Sequence, residues 1–286
     1  MSSLPDARSR KFFRGRSDER YGSVVRRVKP GLRVTEISAR PEFGTKDIWI
    51  GSSKSYVKIQ DSDAPRLVAH EFLAARLANG MGIPVPFGEV AQLDDERFAW
   101  AVAHIGSDGE AFAPPDMSVL LQRSPHVLAG ISVFDTWIHN TDRTDENLIW
   151  HDSVGLWAID HEQAFCGSSA DPAKVLRGSH ESITPLHAME GLSVSSLEVL
   201  PWLLSVRTHG KPLATRACEE AWSRGLITRP EAEAYQRFLS VRAATIGALV
   251  TTSLRLTENP LESIRRGEDA QPPNQPIDLF TSSEEE

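Results

Sequence analysis

Between Trp137 and Phe165 the chain reads WIHNTDRTDENLIWHDSVGLWAIDHEQAF, and few folds accommodate such a run. Asp142 is followed five positions later by Asn147 and then by an apolar strand, NLIW. A turn with Asp152 and Gly155 leads to a second strand, GLWAID, which ends in Asp160. A hairpin of this kind folds the chain back on itself, so residues before its first strand and after its second converge. One carboxylate to accept a hydroxyl proton, with an amide oxygen and a second carboxylate to hold Mg2+ against phosphates, is the set that kinase-type phosphoryl transfer requires. The spacing alone is uninformative, since Asp135–Asn140 and Asp269–Asn274 share it. Only the Asp142 instance precedes two apolar strands with an Asp at the end of the second.

The rest of the chain supplies a frame for that hairpin. RVTEISA, DIWIG and SYVKIQ read as short strands with glycine punctuation, and APRLVAHEFLAARLANGMG as a helix ended by Gly80 and Gly82. VPFGEVAQL and RFAWAVAHI are two further strands, and HIGSDGEAFAPPDMS is a linker. From Met117 the pattern turns helical, with a break near Pro125. Beyond the hairpin SSLEVLPWLLSVR, ATRACEEAWSRG and RPEAEAYQRFLSVRAATIGALVTTSL are helical segments. The expected fold is α+β and bilobal: a small strand-rich lobe over residues 31–108 and a larger, mostly helical lobe over 109–265. A cleft between such lobes is a favoured ligand site.

Lys58 stands at the centre of the apolar strand SYVKIQ. An unpaired buried ammonium costs several kcal/mol or loses its charge, so Lys58 needs either solvent or a carboxylate. Glu71, in the helix that follows, is placed to be that carboxylate. A kinase uses such a Lys–Glu pair at the ATP phosphates. Lys54 lies nearer a turn and reads as solvated.

Composition excludes several classes. At 40% hydrophobic and 24% charged residues the chain is an ordinary globular mixture, and no apolar run approaches the ~20 residues of a membrane helix. Two cysteines, Cys166 and Cys218, are too few for a disulfide scaffold and suit a cytoplasmic protein. Charge is uneven. Residues 1–30 hold nine Arg and Lys against three Asp and Glu, while the whole chain carries −8. That basic, flexible arm fits either a solubilising role or contact with nucleic acid or another anionic partner. Residues 266–286 are Pro-rich and acidic and read as disordered, with an apolar island, QPIDLF, at Gln275–Phe280.

With these residues in place, the chain resembles the HipA-like kinases, and also the phosphatidylinositol kinases of the same wider protein-kinase-like superfamily. The resemblance rests on Asn140, Asp142, Arg143, Asn147 and Leu148, then Ile159, Asp160, His161, Ala164 and Phe165. YVKI, the HEFLAARLA helix and GIPVP agree with it, and it covers roughly residues 33–250. It implies a protein-kinase-like fold and an ATP- and Mg2+-dependent phosphotransferase acting on a hydroxyl, with protein Ser/Thr, lipid headgroups and small molecules as acceptor classes. It implies Asp142 as catalytic base, Asn147 and Asp160 as Mg2+ ligands, Lys58 at the ATP phosphates with Glu71 supporting it, and adenine beside the backbone of Val102–His104. Departures are the lack of a G-x-G-x-x-G loop before Lys58, where IGSSKS stands, and His161-Glu162 after the metal Asp. Arg143 reads as a phosphate contact or as one side of a salt bridge, and His161 as structural. Two other classes remain: a pseudokinase that binds nucleotide as a scaffold, and a divalent-metal phosphohydrolase using His139, His151 and His161 with the nearby aspartates.

Overall fold

Alternating side chains on short strands and a 3.6-residue apolar period on longer segments divide this chain into a strand-rich first part with one helix and a helical remainder interrupted by one hairpin. A computed structural model describes residues 34–39, 49–105, 113–151, 155–169 and 171–257, all within a unit spanning Gly31–Glu286. The arm, most of the linker, Asp152 and the acidic tail lie outside the described residues. The architecture is α+β, a small strand-rich portion and a helical portion.

Strands β1 (Val34–Ala39) and β2 (Ile50–Ser53) pair antiparallel. A second sheet has the order β3-β5-β4, from β3 (Ser55–Ile59), β4 (Gly88–Gln92) and β5 (Phe98–Ala103). Its register sets Lys58 opposite Trp100 and Tyr56 opposite Val102. Side chains alternate along a strand, so Tyr56 and Lys58 share a face. The Trp100 ring meets Phe72 of helix α1 (Leu67–Met81) edge-on at 6.5 Å, so this face is turned towards α1.

The α1 helix runs one residue beyond Gly80, and Gly82 caps it in the left-handed conformation (φ 77°). Gly80 serves packing instead: a Cβ there would collide with the Leu213 side chain. The close approach seats α1 on the helical portion. Arg66 pairs with Glu231 at 2.6 Å, the His70 ring meets the Tyr235 hydroxyl at 2.8 Å, and Arg76 Nε donates to Glu220 at 3.0 Å. The helix that carries Glu71 is thereby tied to the two longest helices among the described residues.

Those helices are α5 (Ser196–Ser223) and α6 (Arg229–Ser253), preceded by α2 (Met117–Arg123), α3 (Pro125–Ile138) and α4 (Pro172–Ser179). The sequence suggests two helices where α5 is one, running through Pro201 and Pro212. Each internal proline costs about 3 kcal/mol, and burial of Val199, Trp202, Val206, Leu213 and Ala217 along the same helix offsets it. A Thr228–Glu231 capping box starts α6. The core lies where α3 meets α5 and α6, around Trp137, Trp202, Tyr235 and Phe238. The expected hairpin is β6 (Leu148–His151) with β7 (Gly155–Ala158), paired antiparallel. Among the described residues no helix is long and apolar enough to cross a membrane.

Candidate active site

Lys58 finds its carboxylates. Its Nζ lies 2.7 Å from Glu71 Oε1, 2.7 Å from Asp160 Oδ1 and 3.8 Å from Glu162 Oε2. One ammonium thus joins the β3 strand, the α1 helix and the segment after β7. Burial works to lower the Lys58 pKa, but Glu71 and Asp160 outweigh it and hold the ammonium above its ordinary range. Glu71 is buried, which would favour its neutral form. The His161 imidazole, its Nδ1 3.7 Å from Glu71 Oε2, and the charge of Lys58 reverse that and pull its carboxyl down to about 2. The His161 backbone N–H also points at Glu71 Oε1, at 3.3 Å. Glu162 is shifted the other way, upwards, by burial and by the Asp160 charge.

Asp160 adopts a left-handed backbone (φ 59°). That region is uncommon outside glycine and persists where the surroundings hold it. Here the carbonyl of the preceding Ile159 accepts from Arg143 Nη1 at 2.5 Å, and the Asp160 carboxylate is held by Lys58.

Asn147 ends a single 3-10 turn, Asp145–Asn147, just before β6. Its Nδ2 donates to the Asp142 carbonyl at 2.7 Å, which leaves Oδ1 as an acceptor. The Ile159 N–H donates to the Asn147 carbonyl at 3.1 Å, so the two ends of the hairpin are bonded to each other. Asp142 is exposed on the same loop. Of the residues singled out in the sequence, Lys58, Glu71 and Asp160 are in direct contact, and Asp142, Asn147 and Asp160 are joined through backbone bonds and Arg143.

Val102 and Ala103 end β5, and His104 follows it. The Ala103 N–H donates to the Phe87 carbonyl at 2.8 Å and the His104 N–H to the Lys54 carbonyl at 3.2 Å. The His104 ring stacks on Tyr56, with centroids 5.0 Å apart and planes 23° from parallel. Tyr56 is 53% exposed. An open aromatic pair therefore stands two residues along the strand from Lys58, on its face.

Sequence reasoning passed over three residues. Asp135, treated as a decoy spacing with Asn140, bonds to it: Asn140 Nδ2 donates to Asp135 Oδ1 at 3.0 Å. A charged residue inside the apolar run SVFDTW was the available signal. Glu162 and Tyr56 carried none beyond their nearness to Asp160 and Lys58. Among the described residues no three His, Cys, Asp or Glu side chains assemble as a ready metal cage. His139 Nδ1 is engaged with Thr184 Oγ1 at 2.9 Å, and the His151 side chain lies outside the described residues.

The HipA-like kinase model matches residues 34–177, half of the chain, and the chain belongs to that family. Solved structures similar to it include a Helicobacter pylori proinflammatory kinase, CtkA, at 12% identity and TM-score 0.47, covering 76% of this chain and 95% of that one. Another is the Shewanella oneidensis MR-1 toxin–antitoxin complex of HipA, HipB and operator DNA, at 15% identity and TM-score 0.40, covering 82% of this chain and 69% of that one. A search of curated proteins gives no match. Family membership makes the function kinase-like.

Proposed function

We propose that this protein is an ATP- and Mg2+-dependent phosphotransferase that moves the γ-phosphoryl group to a hydroxyl, protein Ser/Thr being the leading acceptor class. The observation that carries the reading is Lys58 Nζ at 2.7 Å from both Glu71 and Asp160. Three carboxylates, counting Glu162, face one ammonium, which leaves an excess of negative charge. Asp160 and Glu162 keep 32% and 29% of their side-chain surface open. With Asn147 Oδ1 unclaimed by any bond to its own loop, the donor set is all oxygen, the kind a hard divalent cation such as Mg2+ takes.

In this reading Asn147 and Asp160 hold the metal, which when bound neutralises charge on the phosphate oxygens. Lys58 exchanges part of its contact with Asp160 for a phosphate oxygen, while Glu71 keeps the ammonium in place. Asp142 accepts the acceptor hydroxyl's proton. Positioning and charge supply most of the rate in such chemistry. Adenine lies beside Val102–His104, against the Tyr56–His104 stack. The fold reads as a bilobal kinase, with a nucleotide-binding lobe over residues 31–108 and a catalytic lobe over 109–265. Two free cysteines suit a cytoplasmic setting. The basic arm, residues 1–30, is suited to an anionic partner.

The test is intact-mass and peptide mass spectrometry after incubation with Mg·ATP, alone and with cell lysate. The expected result is phosphate on the protein or on lysate targets, absent for Asp142→Ala and Asp160→Ala. Equal modification by wild type and both variants removes the assignment. Thermal stabilisation by Mg·ATP without any transfer replaces it with a nucleotide-binding scaffold.

A further inference from the structure

Arg143 follows the proposed base, and the sequence alone leaves it as a phosphate contact or one side of a salt bridge. It does not face solvent: the residue is 2% exposed. Its guanidinium is spent on four internal bonds. Nε donates to Asp135 Oδ2 at 2.8 Å and Nη2 to Asp135 Oδ1 at 3.2 Å. Nη1 donates to the carbonyl of Asn147 at 2.6 Å and to that of Ile159 at 2.5 Å. Those carbonyls belong to one proposed metal ligand and to the residue immediately before the other. The β6–β7 ladder ends at the Leu148–Ala158 pair, one residue short of each. Beyond the ladder, Arg143 and the Ile159–Asn147 bond set the separation of the two ligands.

We infer that Arg143, held by Asp135, is a positioning residue that fixes Asn147 and Asp160 at metal-binding separation; the inference rests on the metal-dependent reading above. Stability alone does not explain the pair. A buried ion pair replaced by apolar side chains of similar volume is often as stable or more so. What an apolar pair cannot do is donate two hydrogen bonds from one nitrogen to the two ends of a hairpin. The carbonyl before Asp160 would then lose its partner, and the left-handed Asp160 backbone would lose one of its two restraints. Partners that orient metal ligands in this way typically change metal affinity 10–100-fold when removed.

The experiment uses the full chain and the double variant Asp135→Leu/Arg143→Met, which leaves no unpaired buried charge. Mn2+ binding is followed by loss of the free-ion electron paramagnetic resonance signal. Binding of a fluorescent ATP analogue is measured in chelator, and the unfolding midpoint is recorded alongside. The double variant should fold, bind the analogue in chelator as wild type does, and bind Mn2+ at least about tenfold more weakly. Arg143→Lys keeps the charge but has one nitrogen where the guanidinium has three, and it should show the same selective loss. Should the double variant not fold, Arg143→Lys decides. Wild-type Mn2+ affinity in a folded variant shows that Arg143 only stabilises, and overturns the inference while leaving the proposed function standing. No Mn2+ binding by wild type removes both.

Discussion

Two ion pairs in this protein use similar components in opposite surroundings. Arg143–Asp135 is closed off, with side chains 2% and 0% exposed. Lys58–Asp160 has the same contact length to within 0.1 Å, 2.7 against 2.8 Å, but its side chains are 29% and 32% exposed. In the closed pair every guanidinium nitrogen is matched to a backbone or carboxylate acceptor, so exchange with a ligand would strand a buried charge. In the open pair either partner can trade the other for water, phosphate or metal. The difference separates two jobs: the closed pair sets where the hairpin ends lie, and the open one is free to react. Glu71 sits between the regimes. It is buried, yet it holds the open Lys58.

The contrast can be broken by single substitutions. The largest effect belongs to the open pair: Asp160→Asn should cut phosphoryl transfer at least ~10²-fold, the scale of losing one charge-stabilising group, while the thermal midpoint moves little. A large loss of stability would mean that this pair is structural too. Next comes Arg143→Met, which leaves Asp135 buried and unpaired. It should cost about 3–5 kcal/mol in urea unfolding, and a cost near zero would show that Asp135 finds solvent or another donor.

Acid should sharpen the picture further. Burial lowers His70 to about 4, and burial with the Arg242 charge lowers His139 to about 4. Both rings are neutral in the fold but take a proton when unfolded, near 6.5. The unfolded chain therefore binds more protons between those values, and stability is complete above pH 6.5 and falls as pH drops towards 4. Glu71, lowered to about 2, adds a further loss from pH 4.5 downwards. Urea midpoints across pH 4–7 should show the slope, and His70→Gln/His139→Gln should flatten it above pH 5. A slope unchanged in the double variant assigns it elsewhere. The smallest effect is expected at Arg97–Asp95, 2.6 Å apart with both side chains 53% exposed. Asp95→Asn should leave the thermal midpoint unchanged, and a measurable drop would show that exposure alone does not set the scale.

Much of this was readable in the residues because the signals were local. Alternation gave β3 and β5, apolar period gave α1 and α3, and two strands with an Asp after them gave the hairpin. The Lys58–Glu71 pair followed from one physical demand, that an ammonium in an apolar strand have a partner. Continuity of α5 was not readable, since Pro212, between the two expected helical segments, argues locally against it and only tertiary packing decides for it. Asp135 was hidden for the same reason. Its spacing to Asn140 matched the site pattern by chance, and the partner that explains it, Arg143, reaches it only once α3 and the loop are folded together. Gly80 read as a helix end because its closeness to Leu213 is a property of two helices, not of one segment.

Binding of Mg·ATP, measured by calorimetry with and without Mg2+ on wild type and Asp160→Asn, tests the centre of the proposal most directly. If the open pair is a metal–nucleotide site, wild type binds ATP more tightly with Mg2+ than without, and Asp160→Asn loses that difference while still binding the nucleotide. Equal affinity in all four titrations, or no binding in any, would contradict it.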